Sequence, residues 1–275
     1  MVLRYIDRRG LAMARRSKRK MPERSDYMMK EQKKVEATLD PRTMQYLSKF
    51  FNKGVISKLE HVIAVGKESD VYMATAGDAE VVKGEYVIVK FFRIETSTFF
   101  NMVDYITGDP RFTKMEGRSK SAIIDTWCRK EFGNLEIASN AGVMVPKPYM
   151  FNRSILAMEF IGDEGNPAPQ LRNYSMDIDE AERMRATIMD YVRKMYSAGL
   201  VHGDLSEYNT LVKDGVPYLI DFGQGVVTRH PHALAFLRRD IENIASYFKH
   251  TYGIETDVIK EYNSITGNNA AGTEG

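Results

Sequence analysis

Cysteine is almost missing from this sequence: Cys128 is the only one in 275 residues. That excludes a disulfide framework and argues against a cysteine-based metal site. The five histidines show no metal-ligand spacing either. No apolar run reaches the roughly 18 residues of a membrane-spanning helix, so the expectation is a cytoplasmic chain with no membrane partner. A large net charge is absent too, and a formal +2 says little about partners. What is present is a chain with 43% hydrophobic residues. It is long enough to bury a full core, as one bilobal unit or two modest domains.

The distribution of charge is more informative than its sum. Residues 1–34 carry twelve lysines and arginines against four acids. A segment this polar cannot support a core and reads as a disordered tail. It could bind RNA through phosphate contacts, or it could be a solvated terminus with no dedicated partner. Beyond it, Met44, Leu47, Phe50 and Phe51 follow Pro41 at helical spacing, and Asn52-Lys53-Gly54 supplies a stop.

The densest chemistry lies in Leu200-Val201-His202-Gly203-Asp204-Leu205-Ser206-Glu207-Tyr208-Asn209, followed by Tyr218-Leu219-Ile220-Asp221-Phe222-Gly223. Taken singly, these Asp, Asn and Gly residues are ordinary turn formers. Together they suit a nucleotide triphosphate, whose charge is neutralised by a divalent ion such as Mg²⁺ that takes one or two protein oxygens. Asn209 and Asp221 would supply those oxygens. Asp204, five residues before Asn209, would be the base or orienting group, because phosphoryl transfer asks mainly for positioning and electrostatic stabilisation. The runs 210–212 and 218–220, joined by Lys213-Asp214-Gly215-Val216-Pro217, read as a hairpin that presents Asp221 at its end.

Upstream, strands over Leu59–Val65 and Asp70–Ala74 flank the turn Gly66-Lys67-Glu68-Ser69. Such a turn can lay backbone N–H groups and the Ser69 hydroxyl over phosphates, with Lys67 beside them, although an ordinary β-turn has the same composition. Tyr86–Phe92 reads as a buried strand that carries one charge, Lys90, and such a charge is costly unless paired. In Ile123–Leu135, Glu131 lies four after Trp127 and four before Leu135, on the apolar face of its helix. A carboxylate on a buried stripe requires a cation, and Lys90 is the best candidate. The alternative is that Lys90 snorkels outward and Glu131 pairs on its own helix. Gly142 would cap that helix.

In these motifs, together with Arg229-His230-Pro231, the chain resembles the RIO family of atypical serine/threonine kinases over about residues 35–252. Arg93–Phe112 is similar to the insertion of the type-one members, and too few residues precede Gly66 for the winged helix of type two. The turn wording itself is nearer to type two. The resemblance implies an α+β, bilobal protein-kinase-like fold. Its N-lobe would be an antiparallel sheet with helix C over residues 35–161, including a flexible insertion at about 94–120. A reduced, mainly helical C-lobe would follow over 162–265, then a flexible tail over 266–275. Only 54 residues follow Asp221 and no Ala-Pro-Glu occurs, so a conventional activation segment and the peptide-docking helices are expected to be missing. Gly203 stands where a conventional kinase loop has arginine.

By resemblance, Lys67, Ser69 and Lys90 would hold ATP phosphates and Glu131 would position Lys90. Backbone groups of Glu159 and Ile161 would meet the adenine, and Mn²⁺ could replace Mg²⁺. Asp204 would be the catalytic base, and Asp221 could carry an aspartylphosphate. The resemblance further implies serine/threonine kinase and ATPase activities and a role in small ribosomal subunit maturation, with a pre-ribosomal particle or its rRNA as partner of the basic tail. The alternative is a small-molecule phosphotransferase of the aminoglycoside or choline kinase type, which also uses a His-Gly-Asp loop. Two further helices, Asp179–Ala198 and one carrying Leu234, Leu237, Ile241, Ile244, Ala245 and Phe248, read as structural, with the methionines as core filler.

Overall fold

In the computed structural model, residues 39–93, 99–112 and 119–267 are described. The basic stretch 1–34, parts of the expected insertion (94–98 and 113–118) and the tail 268–275 lie outside the described residues.

Asp40 starts the first helix, α1 (Pro41–Asn52): its carboxylate accepts the N–H groups of Arg42 and Thr43, and Pro41 needs no partner at that position. Leu47 and Phe50 face inward at full burial, worth about 1.5–3 kcal/mol each in removed apolar surface. They pack on a five-stranded antiparallel sheet made of β1 (Ile56–Val65), β2 (Ser69–Ala76), β3 (Tyr86–Phe92), β4 (Pro148–Asn152) and β5 (Ile155–Glu159), in the order β1-β2-β3-β5-β4. Alternation divides the sheet between two cores. Val87, Val89, Phe91, Ile155 and Ala157 face α1. Phe92, Leu156 and Met158 face the large core that continues into the helical half. Lys90 pairs in register with Val71 on one side and Leu156 on the other.

Within the stretch expected as an insertion, residues 99–112 form helix α2 (Phe99–Ile106) and a short 3-10 turn. Helix α3 (Lys120–Asn140) follows, its N-terminus capped by Ser119. Its Trp127, Cys128 and Leu135 are buried, and Gly142 lies just beyond its end at φ +75°.

The second half contains the ribbon β6 (Gly162–Asp163) and β7 (Asn166–Pro167), then helix α4 (Ile178–Ser197) and strand β8 (Leu200–Val201). Strands β9 (Thr210–Lys213), β10 (Val216–Leu219) and β11 (Val226–Val227) follow, with helices α5 (Ala233–Tyr252) and α6 (Val258–Thr266) last. Ala181, Met184, Ile188, Tyr191 and Met195 are all buried on α4, so these methionines fill core.

Two expectations need correction. The β9–β10 connection is not a five-residue loop but the pair Asp214-Gly215, both at positive φ (52° and 73°). That is the type I′ geometry favoured by right-handed strand twist, and Asp-Gly is its signature. Leu234 does not join the buried face of α5 and is 47% exposed. The first turn buries Ala233 instead (1% exposed), four residues before Leu237, so the inward stripe begins there and Leu234 points away from it.

Candidate active site

Lys90 and Glu131 meet. The Lys90 ammonium lies 2.9 and 3.0 Å from the two Glu131 oxygens and 2.9 Å from Asp221 Oδ1. The sheet alternation that turns Lys90 toward α3 and the helical spacing that turns Glu131 inward make this one buried cluster. Burial acts against the Lys90 charge, but Asp221 and Glu131 outweigh it and raise its pKa. Burial also pushes the Glu131 carboxyl up to about 7. The double contact with Nζ favours its ionised form, so we describe the pair as charged. The Asp221 side chain is half exposed, and Lys90 holds its pKa below the usual carboxylate value.

The loop that carries Asp204 is fixed from below. Asp240 on α5, 1% exposed, accepts the N–H groups of Gly203 (2.8 Å) and Leu205 (2.9 Å). Burial pushes its carboxyl up to about 7 despite these donors. Arg239 donates to the Gly203 carbonyl, and Asn243 donates to that of Leu205. Gly203 has φ +77°, and a Cβ there would lie 2.8 Å from the Gln224 carbonyl oxygen. An arginine at this position is therefore excluded by backbone, not merely absent. His202 is buried between the same segments. Its Nε2 lies 3.1 Å from the Ile220 carbonyl, while its Nδ1 accepts the Asp204 N–H at 3.3 Å. One nitrogen must donate and the other accept, which only the neutral ring can do. Burial accordingly lowers its pKa to about 4.

Asn209 Nδ2 donates to the Asp204 carbonyl (2.8 Å) and to its carboxylate (2.9 Å). This commits the nitrogen end of the amide and leaves Oδ1 as the end suited to a metal. Burial raises the pKa of Asp204, and the Asp221 charge adds to the shift against Asn209 and Arg239. Among the described residues no group of three or more His, Cys, Asp or Glu could hold a metal. A pair of oxygen donors such as Asn209 Oδ1 and the Asp221 carboxylate would suit an ion that draws its remaining ligands from phosphate and water, as Mg²⁺ does.

At the glycine turn, the Gly66 N–H bonds the Ser69 carbonyl at 2.8 Å and closes the hairpin. Ser69 is buried where β2 meets β3, whereas Lys67 is exposed on the turn. At the sheet's end the Glu159 N–H is taken by the Lys147 carbonyl and the Ile161 carbonyl by the Ala168 N–H. A cavity of about 820 Å³ opens beside the centre, lined by Glu68, Asp104, Tyr105, Gln224, His232 and Phe236.

A family model described as RIO domain matches residues 70–260. The chain belongs to the RIO family of atypical kinases. The match begins just after the glycine turn, so Lys67 and Ser69 fall outside it. The RIO-type serine/threonine-protein kinase Rio1 of Haloferax volcanii is 39% identical over 246 residues, 89% of this chain and 82% of that protein. Rio1 of Thermoplasma acidophilum is 42% identical over 65% of this chain and 93% of its own length. Human RIO1 is 36% identical over 81% of this chain, which spans only 39% of that protein. These relatives make it a kinase of the Rio1 type. A solved Rio2 kinase from Chaetomium thermophilum, 21% identical, shares the bilobal fold with a TM-score of 0.60 over 80% of this chain and 65% of that one.

Two further residues belong beside this centre, Glu68 and Asp240. Glu68, in the glycine turn, lines the cavity, and burial raises its pKa, followed by the charge of Asp221 and, less, that of Asp204. Asp240 lies three residues after Leu237 and four before Ile244, on the apolar stripe of α5. That is the same signal that exposed Glu131, and it was available.

Proposed function

We propose that this chain binds ATP with Mg²⁺, or Mn²⁺ in its place, and transfers the γ-phosphoryl group to a serine hydroxyl or to its own Asp221. In the second case it would work as an ATPase switch. The observation that carries the proposal is the Lys90 ammonium shared between Glu131 and Asp221 at 2.9 Å each, beside an Asn209 whose amide nitrogen is committed to Asp204. Lys90 would exchange its contact with Asp221 for phosphate oxygens while Glu131 keeps it in place. Asn209 and Asp221 would hold the metal, which when bound neutralises phosphate charge. Asp204, with its raised pKa, would accept the proton of an acceptor hydroxyl. Lys67 and the turn ending at Ser69 would cover the phosphates. At the hinge, the Glu159 carbonyl and the Ile161 N–H would meet the adenine edge, since the complementary groups of those residues are already bonded.

Two observations support the finer reading. The Rio2 structure of the same fold is described as a complex with ADP, Mg²⁺ and phosphoaspartate, and Asp221 offers a half-exposed carboxylate. The surplus of basic residues in 1–34 suits rRNA of a pre-small-subunit particle, and a cytoplasmic setting follows from that role. The family match leaves the aminoglycoside or choline kinase alternative without support.

Incubation with γ-labelled ATP and Mg²⁺ tests this reading. A hydroxylamine-labile protein adduct that turns over to free phosphate and is lost in Asp221→Asn supports the switch. Label found only as acid-stable phosphoserine, dependent on Asp204, supports hydroxyl transfer. Neither adduct nor phosphate release refutes both.

A further inference from the structure

Lys130 is fully buried, and among the described residues no carboxylate accepts from it. Its ammonium donates to the Gly223 carbonyl at 2.8 Å and to the Gly225 carbonyl, with the Trp127 ring 5.0 Å from its nitrogen. One turn further along α3, the fully buried Asn134 donates through Nδ2 to the carbonyls of Phe222 (2.9 Å) and Gly225 (2.8 Å). Four donor contacts from a single helix thus converge on three of the four carbonyls that follow Asp221, those of Phe222, Gly223 and Gly225. The approach is permitted by glycine: a Cβ on Gly223 would lie 3.0 Å from Trp127 Nε1, and one on Gly225 would lie 2.8 Å from Asn134 Nδ2.

The network extends outward. Asn134 Oδ1 accepts from Arg111 Nη1 at 2.9 Å. Arg111 is locked in turn by the buried Asp109, whose carboxylate it meets at 2.7 Å. Both belong to the segment between α2 and α3. Asp221 itself has φ 63° and ψ 67°, a left-handed conformation that costs a non-glycine residue on the order of 1–2 kcal/mol and persists only where its surroundings impose it. A buried lysine satisfied by backbone carbonyls is a costly way to fill a core. Fixing the direction of a strained carboxylate is a use that accounts for it.

We infer that Lys130 and Asn134 are positioning residues for Asp221, and that Arg111 sets the Asn134 amide, so that the segment before α3 helps to aim the metal-binding carboxylate. The inference rests on the functional reading that Asp221 is a metal ligand. The same helix carries Glu131, so one rigid element would align both the Lys90 pair and the Asp221 loop. This makes α3 and the segment before it a single unit that adjusts metal affinity without touching nucleotide or metal.

The test is Mn²⁺ titration of the full chain with ADP bound, followed by electron paramagnetic resonance, for wild type, Asp221→Asn, Asn134→Ala and Arg111→Ala. Metal affinity is expected to fall by about ten- to a hundredfold in Asn134→Ala, as for other residues that orient a ligand. Arg111→Ala should move in the same direction by less, with ADP affinity in the absence of metal unchanged. Removing Arg111 leaves the buried Asp109 carboxylate without its guanidinium, so the melting temperature should fall as well; lower metal affinity measured well below the melting transition, with metal-free ADP affinity unchanged, is not what a purely structural role produces. Trp127, the sole tryptophan, gives a second readout because it packs on Gly223, and its response to metal should weaken in both variants. Wild-type Mn²⁺ affinity in Asn134→Ala and Arg111→Ala, with Asp221→Asn impaired, overturns the positioning role alone. Unchanged affinity in Asp221→Asn overturns the metal-ligand reading and the inference together. If Asn134→Ala does not fold, Arg111→Ala decides: weakened binding supports the inference and wild-type binding overturns it.

Discussion

Replacing Lys90 by methionine removes the cation but keeps most of the side-chain volume, leaving Glu131, 1% exposed, with both oxygens unpaired. Breaking a buried pair from one side typically costs about 3–5 kcal/mol, whereas replacing both partners by apolar groups is close to neutral. For a chain of this size about 1 kcal/mol moves the melting temperature by roughly 2–4 °C, so Lys90→Met should melt on the order of 10 °C below wild type. The double variant Lys90→Met/Glu131→Leu should recover most of that loss, yet phosphoryl transfer should remain abolished in both. The half-exposed Asp221 loses only a solvent-screened contact and adds little. The pH dependence has a definite sign. Without Lys90 the buried carboxyl is held protonated, above its unfolded value, so its contribution to stability is present at low pH and lost as pH rises. The deficit of Lys90→Met should therefore be larger at pH 8 than at pH 5. Thermal melts by circular dichroism across that range, with labelled-phosphate assays alongside, measure all of this. A Lys90→Met variant as stable as wild type, or a double variant less stable than the single, would refute the reasoning.

Other consequences follow from the loop beneath. Gly203→Ala places a Cβ 2.8 Å from the Gln224 carbonyl at φ +77°, and should lose on the order of 2 kcal/mol together with activity; denaturant unfolding within error of wild type would contradict this. His202 should keep the ring resonances of a neutral imidazole down to about pH 5, because burial lowers its pKa to about 4, and an NMR midpoint near the free value of about 6.5 would refute the assigned bonds. Since the folded value lies below the unfolded one, its contribution to stability is full above about pH 6.5 and is lost towards pH 4, by about 3 kcal/mol in total.

Much of this centre was legible because its residues break a pattern. Lys90 interrupts an apolar strand and Glu131 an apolar helical stripe, so each demanded a partner of opposite charge and the other was at hand. Lys130 interrupts the same helix, but its partners are the carbonyls of Gly223 and Gly225, and backbone acceptors leave no mark in a sequence. Asn134 and Arg111 are hidden for the same reason, since their bonds join segments 23 to 91 residues apart. Asp240 could have been found, as its place on the stripe of α5 carries the signal that exposed Glu131. The β9–β10 turn was missed differently. Composition puts Lys213, Val216 and Pro217 in the loop, whereas they pair in the ladder, and Asp214-Gly215 alone satisfies the two positive φ values that the strand twist requires. Leu234 stands at helical spacing from Leu237, but so does Ala233, and periodicity alone does not tell which of the two the first turn buries.

The most direct test of the account is the steady-state rate of γ-phosphate transfer from Mg²⁺-ATP, compared between wild type and Asp221→Asn at matched, saturating nucleotide. The account predicts a loss of about a hundredfold or more, of the size expected when a charge-stabilising group at the reacting centre is removed, in a protein that remains folded. A variant that turns over within a few-fold of wild type would contradict the role given to Asp221 and, with it, the arrangement of Lys90, Asn209 and Asp204 around it.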